Sequence, residues 1–68
     1  MNLTYAQHRA LVDVSDGEWK RLAMTHSLGA IGFLRNRGLI RCDFDHLAAE
    51  EKRYTITPDG EQALEAQQ

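Results

Sequence analysis

The spacing of apolar residues changes at Gly38, and this change limits the possible folds more than any other feature of the sequence. Before the glycine, apolar residues recur every three or four positions, which is typical of one face of an α-helix. After it they alternate with polar residues, which is typical of a half-buried β-strand. The apolar residues are Ala30, Ile31 and Leu34 on the helical side, and Ile40, Cys42 and Phe44 on the strand side. Because glycine ends helices at low cost, we expect a helix that ends at Arg37 and leads into a strand.

A capping box predicts the first helix. Thr4 and Gln7 have the T-x-x-Q spacing, in which the two side chains bind backbone N–H groups that the first helical turn leaves unpaired. The helix is expected to run to about Val14. Its predicted inner stripe consists of Ala6, Ala10, Leu11 and Val14.

Residues 15–24 contain a second pattern of this kind, in which Ser15 and Glu18 stand three positions apart. We therefore expect a short second helix over residues 19–24. The side chains expected to point inward from it are Trp19, Leu22 and Ala23. The alternative is a very short strand at residues 17–19, "GEW", before the helix.

Further cap residues divide the rest of the chain. Thr25 and Ser27 both fit the N-cap of the third helix. A second strand follows the polar connection after the first, and the residues on its apolar face are Tyr54 and Ile56. Thr57 is a good N-cap and Pro58 has its preferred first helical position, so a last helix is expected to run through Leu64.

The length allows one domain, residues 1–68, because a chain this short buries only about 60% of its unfolded surface and has no room for a second core. We expect a mainly α fold with a small β-hairpin. A single cysteine excludes an internal disulfide bond and suits a reducing compartment. No apolar stretch approaches the length of a membrane span, and the N-terminus lacks a signal-peptide pattern, so a cytoplasmic protein without membrane contact is expected.

Two stretches at the hairpin carry a family resemblance. The sequences "FLRNRGLI", residues 33–40, and "YTITPDGEQAL", residues 54–64, resemble bacterial transcriptional regulators of the multiple-antibiotic-resistance-regulator (MarR-like) type. The matching positions are Leu34, Gly38, Leu39, Ile40, Tyr54, Ile56, Thr57 and Gly60. The resemblance covers residues 3–64 and implies a winged helix-turn-helix fold with a three-helix core, a two-stranded wing and a short C-terminal helix. It also implies a DNA-binding regulator of transcription, with double-stranded DNA as the partner and a homodimer as one option.

Charge is distributed unevenly along the chain, whose formal net charge is −2. Residues 18–41 contain five basic and one acidic side chain, whereas residues 42–68 contain two basic and seven acidic ones. The basic middle suits phosphates or an acidic protein surface, while the acidic connection between the strands argues against minor-groove contact. The residues predicted to contact DNA are Lys20, Arg21, Thr25, His26, Ser27, Arg35, Asn36, Arg37 and Arg41.

The outward face of the third helix is poor in side chains that read bases. With about 100° per residue, it holds Gly29, Gly32, Phe33 and Asn36, of which only Asn36 carries donors for base edges. A second hypothesis is therefore a small accessory or inhibitory protein that docks on a protein partner through this patch, with Phe33 as the apolar anchor. A third option is that the glycines face another part of the domain and that Phe33 belongs to the core.

Catalysis and metal binding are not predicted. The candidate metal ligands His8, His26, His46 and Cys42 lack the spacing of known metal motifs. Both Ser15 and Ser27 have the position of helix caps, and no glycine-rich phosphate loop follows a strand. We expect no enzyme activity and no cofactor.

Overall fold

The computed structural model describes residues 2–43 and 48–67. Within these residues the helices and strands are α1 (Tyr5–Asp13), α2 (Leu28–Asn36), β1 (Ile40–Asp43), β2 (Arg53–Ile56) and α3 (Pro58–Gln67). Single 3-10 turns lie at Leu22–Met24 and Ala49–Glu51. The helices and the two-stranded antiparallel sheet confirm the predicted mainly α fold with a small hairpin. Phe44 lies outside the described residues, so its place on the strand face stays a prediction.

Helix α1 begins at the predicted capping box. Thr4 Oγ1 accepts a hydrogen bond from the N–H of Gln7 at 3.2 Å, and Gln7 Oε1 accepts one from the N–H of Thr4 at 3.0 Å. The buried residues on the inner side of this helix and at its C-cap are Ala10, Leu11 and Val14, as predicted. Ala6 was predicted to join them but is exposed, because the residue buried at this end of the helix is Leu3 from the preceding segment.

The predicted second α-helix is wrong. Ser15 Oγ donates to a carbonyl in the last turn of α1 at 2.6 Å instead of capping a new helix, and Gly17 turns the chain with a φ of 80°. Lys20 then pairs with Tyr54 in an isolated antiparallel bridge, through N–H···O bonds of 2.9 and 2.8 Å. Only Leu22–Met24 is helical, as one 3-10 turn. The alternative of a short strand was closer, although the pairing falls one residue beyond "GEW".

The bridge also explains which side chains of this segment are buried. Leu22 is buried and Ala23 packs partly against the core, as predicted. Trp19 was predicted to point inward but remains 41% exposed. Neighbouring residues of an extended segment point to opposite sides, and Lys20 points toward α1, where its Nζ donates to the carbonyl of Asp13 at 2.6 Å. Trp19 is therefore directed away from the helices.

Helix α2 begins and ends at the expected residues. Ser27 is its N-cap, and Ser27 Oγ accepts a hydrogen bond from the N–H of Ala30 at 3.2 Å. Thr25, the other N-cap candidate, instead ends the preceding 3-10 turn. Arg37 is the C-cap, and Gly38 follows with a φ of 71°, a conformation that glycine adopts without a steric penalty. The residues at both ends of α2 therefore fix its length.

The two faces of the hairpin have different surroundings. Ile40 lies opposite Ile56, and Cys42 lies opposite Tyr54; these side chains face the helices. The core that they complete contains Leu3, Ala10, Leu11, Val14, Leu22, Ile31, Leu34, Leu39, Ile40, Tyr54, Ile56 and Leu64. The alternating residues of the strands point away from the helices, and we call this side the outer face of the sheet.

Helix α3 packs against the start of the hairpin, and its N-cap is hydrogen-bonded to it. Thr57 Oγ1 accepts the N–H of Gly60 at 3.1 Å, while the N–H of Thr57 donates to the carbonyl of Leu39 at 3.1 Å, so both the predicted N-cap and the first position of Pro58 are confirmed. A Cβ at Gly60 would collide with the carbonyl oxygen of Leu39 and would lie 2.7 Å from Cγ1 of Ile56. The close approach of α3 to the hairpin therefore requires glycine at this position.

Candidate nucleic-acid interface

The outward face of α2 is open at both glycines. A Cβ built at Gly29 or at Gly32 would meet no atom within 4 Å, apart from its chain neighbours and the backbone of its own helix, in the described part of the chain. On the opposite side of the helix the buried residues are Ala30, Ile31 and Leu34, as predicted. The option that the glycines pack against another part of the domain is therefore wrong. The helix presents a smooth strip that another molecule could approach closely.

Phe33 is neither a fully buried core residue nor an exposed anchor. Its side chain is half-buried and packs partly against the core. The guanidinium carbon of Arg37 lies 5.0 Å from the centre of the Phe33 ring, within the range of a cation–π contact. Phe33 therefore supports Arg37, and only the rest of its surface is open to a partner.

Two residues that were predicted to contact DNA, Lys20 and His26, instead bind carboxylates at the C-terminal end of α1 and just after it. Lys20 Nζ lies 3.0 Å from Asp16 Oδ2 and 3.5 Å from Asp13 Oδ1, and His26 Nε2 lies 3.1 Å from Asp13 Oδ2. The backbone N–H of Glu18 and the Lys20 ammonium lower the pKa of Asp16, while the hydrogen bond to Asp16 raises the pKa of Lys20. These contacts hold the segment before α2 against α1, so Lys20 and His26 have a structural role.

An open cavity of about 370 Å³ lies beside this cluster. Its lining residues are Arg9, Val12, Asp13, Thr25 and His26. Arg9 was absent from the predicted contact residues, yet the fold places it beside Thr25 and His26, near the start of α2. Its position four residues before Asp13 on α1 was the available signal, since residues at that spacing share a helix face.

The remaining predicted contacts on α2 lie at its two ends. Thr25 and Ser27 are exposed before the first turn, and the Ser27 hydroxyl is used as the N-cap. At the other end, Arg35, Asn36 and Arg37 are all exposed. The C-terminal end of α2 therefore brings together two guanidinium groups and one amide that can donate hydrogen bonds to a ligand.

Arg21 and Arg41 belong to a different surface. Arg21 is exposed in the tight turn after the bridge, where the N–H of Leu22 donates to the carbonyl of Lys20 at 3.1 Å. Arg41 lies on the outer face of the sheet, with its guanidinium carbon 5.6 Å from the centre of the Trp19 ring. The structure therefore divides the predicted basic patch between a helix end, a structural cluster and a sheet face.

Comparison with protein-family models, curated proteins and solved structures gave no match for this chain. Within the described ranges 2–43 and 48–67, no helix has the length and apolar character to cross a membrane. In the same ranges, no three His, Cys, Asp or Glu side chains are grouped so that they could hold a metal ion.

Proposed function

We propose that this chain is a winged helix-turn-helix domain of the MarR-like type that binds duplex DNA through α2 and acts as a transcriptional regulator. The order of its elements, with a 3-10 turn at Leu22–Met24 in the place of the second core helix, and the glycine that ends α2 support this proposal together with the resemblance seen in the sequence. The observation that carries the DNA proposal is the open outward face of α2, which ends in the exposed side chains of Arg35 and Arg37. A helix that enters the major groove needs such an uncovered face, with cations at its margin for the phosphates.

The same face implies that phosphate contacts contribute most of the affinity. Asn36 is the outward residue whose amide matches the donor and acceptor pair of adenine, whereas Gly29 and Gly32 offer no side chain to the bases. Arg37 is held over a ring and keeps its N–H groups for a phosphate, a geometry for which guanidinium is well suited. We therefore expect binding that depends strongly on salt and weakly on base sequence.

Fluorescence anisotropy with two labelled duplexes of unrelated sequence tests the proposal. Two or three phosphate contacts predict that affinity falls about 10- to 40-fold between about 50 and 200 mM salt. Arg37→Ala should weaken the binding of both duplexes equally. It should also reduce the slope of log affinity against log salt concentration by about one, as expected for the loss of one phosphate contact. Arg53→Ala removes the same charge from β2, away from α2, and as the matched control should weaken duplex binding less than Arg37→Ala does. Salt-independent binding, or equal losses in both variants, would count against α2 as the DNA-binding surface.

A second candidate function is protein docking, as in a small accessory or inhibitory protein. It is favoured by the open strip at Gly29 and Gly32, because a surface without side chains lets another backbone approach closely. With Phe33 and Asn36, this strip forms a patch that can also meet the same patch on a second copy. Sedimentation equilibrium of the protein without DNA tests the homodimer: Gly32→Arg should dissociate it, whereas a wild-type monomer at the highest concentration would exclude it.

A further inference from the structure

The outer face of the sheet carries one aromatic and one cationic side chain in a single row. Arg41 pairs with Thr55 across β1 and β2, and the bridge between Lys20 and Tyr54 places Trp19 opposite Thr55 on the other side of β2. Paired residues of an antiparallel ladder share a face, and their neighbours point to the other one. The row, which we call the Trp19–Arg41 row, therefore consists of Trp19, Thr55 and Arg41.

The side chains of Trp19 and Arg41 contact each other above Thr55. The guanidinium carbon of Arg41 lies 5.6 Å from the centre of the Trp19 ring, although a whole strand separates the two backbones. Thr55 is only 3% exposed on this outer face, and its hydroxyl has no hydrogen-bond partner among the described residues. Trp19 keeps 41% of its surface open. The row is thus an ordered platform with an accessible ring and an exposed cation.

The charges around the row favour an anionic ligand. Arg41 and Arg53 are exposed on this face, and neither forms an ion pair among the described residues. Asp43, the acidic residue among the described members of this face, lies opposite Arg53 and is outnumbered by the arginines, although the whole chain carries −2. A ligand that combines phosphate with a planar ring matches both the arginines and the tryptophan.

We propose that the Trp19–Arg41 row binds single-stranded nucleic acid, with an unpaired base against Trp19 and a backbone phosphate on Arg41. An exposed aromatic ring favours the binding of unpaired bases, because bases in a duplex are already stacked on their neighbours. Arg53, two residues before Thr55 on β2, is placed to bind a further phosphate. This surface lies on the opposite side of the sheet from the helices, so the inference does not rest on duplex binding by α2.

The experiment uses the full chain and its own fluorescence. Trp19 is the only tryptophan in the sequence, so a change in tryptophan emission reports on this site alone. Titration with a short oligothymidylate should quench the emission to saturation, and the quenching should weaken as salt rises. A duplex of the same length should quench much less, because its bases are not free to stack.

Variants assign the binding to the row. Trp19→Ala, followed with a labelled oligothymidylate, should weaken binding about 5- to 150-fold, the loss typical of one stacked base, and Trp19→Phe should weaken it less. Arg41→Ala and Arg53→Ala should each weaken binding and lower its salt dependence. Arg37→Ala at the end of α2 is the matched control and should leave the quenching unchanged. Circular dichroism of each variant shows whether its fold is intact.

Two results would overturn the inference. One is the absence of quenching by the oligothymidylate at any concentration in low salt. The other is equal quenching by the duplex together with its loss in Arg37→Ala, which would place all nucleic-acid contact on α2. Arg41→Ala and Trp19→Phe keep the test decisive if Trp19→Ala fails to fold, because the first alters an exposed side chain and the second keeps a ring.

Discussion

Replacing Gly60 by alanine should destabilise the domain, although alanine is the better helix former. The new Cβ would collide with the carbonyl oxygen of Leu39 and lie 2.7 Å from Cγ1 of Ile56. The hydrogen bond from the N–H of residue 60 to Thr57 Oγ1 does not depend on the side chain, so the substitution tests packing alone.

The magnitude follows from two opposing terms. Alanine gains up to about 1 kcal/mol over glycine in helix propensity. Overpacking costs about 1–3 kcal/mol, and the upper part of this range applies because the carbonyl of Leu39 belongs to the backbone and cannot change rotamer. We therefore expect a net loss of about 1–2 kcal/mol in the free energy of unfolding, which corresponds to a Tm lower by roughly 5–15 °C in a domain of this size.

Gly32→Ala is the matched control for this substitution. Gly32 also lies within a helix, but its Cβ would meet open space, so only the gain in helix propensity remains. Its Tm should rise by about 3–8 °C, for a gain of up to about 1 kcal/mol. Thermal unfolding followed by circular dichroism measures both variants. A Gly60→Ala protein as stable as the wild type, or a Gly32→Ala protein that is less stable, would refute this account of the two helix surroundings.

Three further predictions concern stability. Thr55→Val should raise the free energy of unfolding by about 1–3 kcal/mol in urea titrations, because it removes a buried hydroxyl that has no partner; a loss would mean that this hydroxyl is satisfied. Phe33→Ala should cost about 1–2 kcal/mol, less than the about 3–5 kcal/mol of a fully buried ring, since Phe33 is half-buried. The Asp16–Lys20 pair should stabilise the fold fully between pH 3.8 and pH 10.5, the ordinary pKa values of the two groups. The lowered pKa of Asp16 predicts that this stability is lost as pH falls below 3.8, and the raised pKa of Lys20 predicts that it is lost as pH rises above 10.5. Melting curves against pH should show both losses in the wild type. Lys20→Gln should remove the alkaline loss and only part of the acidic one, because the N–H of Glu18 still lowers the pKa of Asp16.

Local signals in the sequence were sufficient for the helix ends. Ser27 and Thr57 cap α2 and α3 because their hydroxyls reach N–H groups three residues away, and Gly38 ends α2 because of its own φ. Such interactions depend only on neighbours in the chain, so their residue types can be recognised directly.

The error at residues 15–24 has a non-local cause. Ser15 has the spacing of a cap, but the backbone of Lys20 pairs with Tyr54, a residue 34 positions later in the chain. Periodicity within the segment contains no information about that partner. The pairing reverses the direction of Trp19, which local spacing had placed in the core.

The sequence predicted which residues the candidate site contains, but not how they are arranged on the surface. The sequence placed Gly29 and Gly32 on the outward face of α2, and the open space at both positions agrees with this placement. The sequence alone could not show which basic residues share a surface. Lys20 bonds to α1, whereas Arg41 lies on the outer face of the sheet. Both arrangements depend on contacts between segments distant in the chain.

The most direct test of α2 as the DNA-binding surface is a pair of charge variants at Gly32. Its surroundings accept a side chain, so Gly32→Arg and Gly32→Glu should both fold with a Tm at or above that of the wild type. Anisotropy with a labelled duplex at low salt should show tighter binding for Gly32→Arg and at least about tenfold weaker binding for Gly32→Glu, because the added charge lies against the phosphates. Equal affinities for both variants and the wild type would contradict the account, since α2 would then not contact the duplex.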